Sequence, residues 1–151
     1  MVSRVVILGD SIASGIALNT QNAVNLTKSG RRIDYDWESA IKQLNQNDTA
    51  YLLIGANDIP INKQSYEKRV LNLITLFKNQ GVNLVWLGIP NLTRSDLTAK
   101  VATLNQIFEQ QANENGVKFI SLSQFKTDAG DGVHFQWKTY RQMSTYILSA
   151  I

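Results

Sequence analysis

Val5-Val6-Ile7-Leu8-Gly9-Asp10-Ser11 is the stretch on which the fold turns. Four branched apolar residues run without the polar alternation of a half-exposed strand, and unbroken apolarity of this kind fits a strand covered on both faces. Three more runs follow the same rule, at Tyr51 to Gly55, Leu84 to Ile89 and Lys118 to Leu122. A short fifth strand is expected at Arg32 to Tyr35.

Helical patterns separate these runs: Trp37 to Leu44, Ser65 to Asn79, Ser95 to Asn115 and Lys138 to Ile151. In the second, Val70, Leu73, Ile74 and Phe77 recur at spacings of three and four, giving one apolar face to lay on a sheet. Gly81 and Gly116 stand where a left-handed residue ends a helix, and Ser95 is the expected N-cap ahead of Asp96. Strands alternating with helices predict β-α-β crossovers, and hence an α/β sandwich of three layers around a parallel sheet of about five strands. Such a sheet binds ligands beyond the carboxyl ends of its strands. That rule puts Ser11, Asn57 and the Pro90-Asn91 loop on one rim.

Composition narrows the function classes. The chain has 151 residues, 44% hydrophobic and 18% charged, which suits one domain spanning residues 1–151 with a packed core. A net charge of +3 is spread along the chain without a basic run, so no nucleic-acid partner is expected. Cysteine is absent, which excludes disulfides, a thiolate nucleophile and zinc-thiolate sites. The start, Met1-Val2-Ser3-Arg4, lacks the apolar region and cleavage site of a secretory signal, and no apolar stretch approaches the ~20 residues of a bilayer span. The chain as written is expected to be soluble and cytoplasmic, without stable membrane insertion.

Four short segments carry the residues suited to chemistry. Ser11 follows a strand and opens a helical turn, where free backbone N–H groups and the helix dipole favour negative charge. His134 is the sole histidine, and an imidazole titrates near neutrality, as a general base requires. Asp131 lies three residues earlier, a spacing that can bring its carboxylate to the ring N–H. Asn57 at a strand end has an amide able to donate to a developing oxyanion, and Gly30 can offer a backbone N–H where a side chain would obstruct substrate. Taken singly, each has a plainer reading: a capped turn, a surface loop, an Asn-Asp turn pair, a loop glycine.

Together, Gly9-Asp10-Ser11-Ile12-Ala13, Ser29-Gly30, Gly55-Ala56-Asn57-Asp58 and Asp131-Gly132-Val133-His134 resemble, in order and in strand context, the blocks of the SGNH hydrolases, the GDSL-type esterase superfamily. The resemblance covers nearly the whole chain and extends to a closing helix with Tyr140 and Met143. It implies a flavodoxin-like sandwich and a serine hydrolase needing neither metal nor cofactor. It further implies Ser11 as nucleophile, His134 as base and then acid, Asp131 as orienter, and an oxyanion hole of the Ser11 and Gly30 N–H groups with the Asn57 amide.

The segment from Ser11 to Gly30 is compact, leaving little wall for a long acyl chain. The expected substrate is therefore a short acyl ester, foremost O-acetyl on a carbohydrate or polysaccharide. Alternatives are a lysophospholipase or thioesterase, or a binding module that retains the motifs without turnover. Arg31 and Arg32 follow Gly30 and suit either an anionic substrate or a solvated surface. Trp137 suits either a sugar platform or helix packing, whereas Trp86 lies inside an apolar strand and is expected in the core. The sequence leaves oligomeric state open.

Overall fold

Val6, Ile7 and Leu8 have no exposed surface, nor do Leu52, Leu53, Trp86 and Leu87, which is why their runs lack alternation. The computed structural model describes residues 3–58 and 62–150. Strands β1 (Val5–Gly9), β2 (Val24–Thr27), β3 (Thr49–Leu53), β4 (Asn83–Leu87) and β5 (Lys118–Ile120) form one sheet in the order β2-β1-β3-β4-β5. Every pairing is parallel. This is the flavodoxin-like order, with its switch point between β1 and β3.

Helices α1 (Ser11–Leu18), α2 (Trp37–Ile41), α3 (Lys63–Asn79), α4 (Thr98–Glu114) and α5 (Trp137–Ser149) supply the outer layers. Helix α1 packs against α5 on one face, while α3 packs against both α2 and α4 on the other. The predicted α3 face is buried: Val70, Leu73, Ile74 and Phe77 all lie in the core with Tyr66. Each such side chain removed from water contributes about 1.5–3 kcal/mol. Gly81 and Gly116 adopt positive φ after α3 and α4, as expected of helix-ending residues. Ile151, the predicted end of the last helix, lies outside the described residues.

Two expectations need correction. Arg32 to Tyr35 is not a strand: the Ile33 N–H donates to the Asp58 carboxylate (2.8 Å), and the Tyr35 N–H turns back to the Arg32 carbonyl (3.1 Å). The edge strand is instead Val24–Thr27, registered Leu8 to Leu26 and Gly9 to Thr27. Ser95 does not cap α4, which begins at Thr98 after Leu97, a residue without a capping side chain. A turn closed by the Leu97 N–H on the Arg94 carbonyl (3.0 Å) occupies that segment first, and Arg94 is itself tied to Gly132 (3.1 Å).

Candidate active site

At the end of β1 the backbone takes a course open to glycine alone. Gly9 has φ of 141°, and a Cβ built on it would lie 1.8 Å from the Leu53 carbonyl oxygen. The missing side chain lets β1 press against the end of β3, and the Asp10 N–H donates to that same carbonyl (3.3 Å). Asp10 then caps α1: its Oδ1 accepts the N–H groups of Ile12 (3.0 Å) and Ala13 (3.3 Å). The residue is fully buried and its Oδ2 has no partner. Burial pushes its carboxyl up to about 7, against the lowering pull of the two capping bonds. Ser11 is thereby fixed as the first residue of α1, its N–H among those a helix leaves without an internal partner.

From the other end of the chain, His134 Nε2 lies 2.8 Å from Ser11 Oγ, and His134 Nδ1 lies 2.6 Å from Asp131 Oδ2. Asp131 Oδ1 accepts the N–H groups of Val133 (2.9 Å) and His134 (2.8 Å), so the loop aims its own carboxylate at the ring. These bonds, the His134 ring foremost, hold the Asp131 carboxyl well below the usual carboxylate range. An ionised Asp131 accepts from Nδ1–H, which leaves Nε2 to accept the Ser11 hydroxyl proton.

The approach of His134 to Ser11 is built by packing between α1 and α5. A Cβ at Gly15 would stand 2.3 Å from the Tyr140 ring, so the glycine admits Tyr140 against α1. One turn further along, Thr20 and Ser144 share a buried hydrogen bond of 2.6 Å. Asp128 joins the histidine loop to α5, accepting the Gln136 N–H (2.7 Å) and the Thr139 hydroxyl (2.5 Å). His134 is consequently positioned by a helix anchored in the core, although its own side chain is 38% exposed and that of Asp131 50%.

Gly30 follows β2 and Asn57 follows β3, the two strands flanking β1, so both lie beyond the carboxyl ends of the strands on the same rim as Ser11. Gly30 has φ of 79°, and a Cβ there would meet only open space. The Asn57 amide makes a long contact of 3.5 Å to the Arg31 carbonyl. Asp58 links the two loops, taking the Ile33 N–H on Oδ1 and the Tyr66 hydroxyl on Oδ2. Lys100 Nζ reaches the carbonyls of Ala56 (2.7 Å) and Asp58 (3.2 Å) and fixes the Asn57 turn from below.

The remaining candidates separate. Trp86 is fully buried against Phe108, as expected. Trp137, the first residue of α5, is 58% exposed three positions beyond His134. Arg31 is not freely solvated: it donates to the Leu26 carbonyl (2.7 Å), its guanidinium carbon sits 4.0 Å from the Tyr35 ring centroid, and its Nε is buried without a partner.

Sequence reasoning missed the supporting roles of Asp10, Asp58, Lys100 and Asp128. Only Asp10 carried a local signal, an Asp immediately ahead of a helix. Among the described residues no cluster of three His, Asp or Glu is placed to hold a metal, and no helix is long and apolar enough to cross a membrane.

Solved structures share this architecture across their whole length. An aryl esterase of M. smegmatis matches at a TM-score of 0.77 and 14% identity, covering 99% of this chain and 98% of its own. A carbohydrate acetylesterase from Sinorhizobium meliloti matches at 0.76 and 13%, covering 99% and 100%. An acetyl xylan esterase matches at 0.79 and 15%, covering 98% and 99%. No curated protein matches the sequence. The family described as "Protein of unknown function (DUF459)" matches residues 4–130, which include Ser11, Gly30 and Asn57 and stop one residue short of Asp131. The chain therefore belongs to the DUF459 family and carries the fold of the GDSL-type, or SGNH, esterases.

Proposed function

We propose that the protein is a serine esterase that removes short acyl groups, foremost O-acetyl groups of carbohydrates. The observation that carries this reading is the unbroken relay from Ser11 Oγ through His134 to Asp131, at 2.8 and 2.6 Å.

In the proposed reaction Ser11 Oγ attacks the acyl carbonyl while His134 Nε2 takes its proton, and Asp131 balances the imidazolium that forms. The carbonyl oxygen becomes an oxyanion, facing the N–H groups of Ser11 and Gly30 and the Asn57 amide. On collapse, the alcohol leaves with the proton from His134 and the acyl group stays on Ser11. Water then attacks the acyl-enzyme with His134 again as base, releasing the acid and restoring the serine.

Two features support a short acyl group on a large acceptor. Asp131 and His134 are open to solvent, as suits a cleft on a polymer more than a tunnel for a fatty chain. Trp137 offers an exposed aromatic face on which a sugar ring can stack. The names of two structural neighbours, a carbohydrate acetylesterase and an acetyl xylan esterase, point the same way.

Hydrolysis of p-nitrophenyl esters from acetyl to long acyl, by wild type and Ser11→Ala, tests the proposal. The expected result is Ser11-dependent release that is fastest with acetyl. A rate rising with chain length would overturn the acyl preference, and release unchanged in Ser11→Ala would overturn the mechanism.

A further inference from the structure

Beside Gly30 the surface forms a shallow depression of about 390 Å³, bordered by Lys28, Arg31, Arg32, Asp34 and Tyr35. Its border brings three cationic side chains against one carboxylate. Arg32 pairs with that carboxylate, Asp34, through two contacts of 3.1 Å. Among the described residues no carboxylate pairs with Lys28 or Arg31.

Arg31 is the more telling of the two. Its guanidinium is held by the Leu26 carbonyl and the Tyr35 ring, and its Nε is buried with no acceptor. A partly buried cation without a counter-ion is costly, and a planar guanidinium held in place is shaped to receive a planar oxyanion. Lys28 projects from the same loop as an exposed point charge.

We propose that this depression is a subsite for a negatively charged acyl acceptor, a sugar acid whose carboxylate rests among Lys28, Arg31 and Arg32 while its ester lies at Ser11. The inference rests on the esterase reading for the ester and on the depression alone for the charge. Gly30 belongs both to the border of the depression and to the proposed oxyanion hole, so a sugar bound there stands next to the reacting carbonyl. Asp34 opposes the anion and must share Arg32 with it, which leaves Lys28 and Arg31 as the uncompensated attraction.

The test uses Ser11→Ala protein, which cannot turn over, titrated calorimetrically with acetylated trigalacturonate and acetylated xylotriose at low ionic strength. The expected result is at least tenfold tighter binding of the trigalacturonate, with a difference that shrinks as salt screens the exposed charges. Adding Lys28→Gln and Arg31→Gln, which removes the two cations without a carboxylate partner among the described residues, is expected to abolish the difference. Adding Lys68→Gln and Lys118→Gln, which removes equal charge from exposed positions elsewhere, is expected to leave it. Equal affinity for the two sugars, or equal losses in the two double variants, would overturn the subsite. Ser11-dependent release from p-nitrophenyl acetate reports separately on the esterase. Its absence alongside selective binding would leave a sugar-acid site and overturn the acyl-acceptor role.

Discussion

The two ends of the Ser11–His134 contact are held in different ways. On the Ser11 side, Gly9 and Asp10 are locked into the core between β1, β3 and α1, and Asp10 has no exposed surface. On the His134 side, Asp131 and His134 stand on a largely exposed loop, held by hydrogen bonds within a few residues and by Asp128 to α5. The difference teaches where each kind of damage falls. Changes to the backbone beneath Ser11 threaten the fold, whereas changes to the Asp131 or His134 side chain are expected to leave it in place.

The largest effect expected is on turnover. Ser11→Ala and His134→Ala each lower kcat by about 10⁶-fold, because the pair acts as a unit. Their melting temperatures stay near wild type, since the side chains removed are part-exposed. A large loss of stability in His134→Ala would break the comparison. Asp131→Asn keeps the loop bond through its remaining oxygen but favours the wrong tautomer, and is expected to cost about 10³–10⁴ in kcat. Asn57→Ala is expected to cost about 10²–10³, the effect of losing one oxyanion donor, with KM less affected than kcat. Steady-state kinetics on a short acyl ester measure all of these.

The core-held side is sharpened by stability measurements. Gly9→Ala places a Cβ against the Leu53 carbonyl and strains a φ of 141°, so a loss above about 3 kcal/mol is expected in urea denaturation. A loss below 1 kcal/mol would show that the β1 end adjusts freely.

The smallest effect is a pH dependence. Asp10 ionises near 4 in the unfolded chain but only about 7 when folded, so between those values the folded state binds more protons. Its contribution to stability is accordingly lost as pH rises through that window and levels off above it. Asp10→Asn retains a capping oxygen and cannot ionise, so its stability should change less between pH 5 and pH 8 than that of wild type. Parallel curves would show that Asp10 does not titrate there.

Legibility in the sequence followed the range of the interactions. The apolar runs of β1, β3 and β4 were legible because burial on both faces demands such residues wherever it occurs, and β5 was legible from Phe119 and Ile120 although Lys118 is exposed at that edge. β2 was missed because Val24–Thr27 has no buried residue and mixes half-buried apolar residues with exposed Asn25. Arg32 to Tyr35 resembled a strand because Ile33 is buried, but its N–H is taken by Asp58, 25 residues away. Asp131 and His134 were legible as a pair, since three residues of spacing and one turn suffice to join them.

By itself, then, the sequence determined what depends on near neighbours: apolar runs and helical periodicity, the glycines that end α3 and α4, and the bond from Asp131 to the imidazole. Only the tertiary structure decided the meeting of Ser11 and His134, which are 123 residues apart. That contact depends on Tyr140 entering over Gly15, and the joining of the Gly30 and Asn57 loops depends on the buried Asp58. Periodicity and spacing encode which surface each element buries, but the partner that covers it is chosen by how well whole elements pack, and no local pattern contains that.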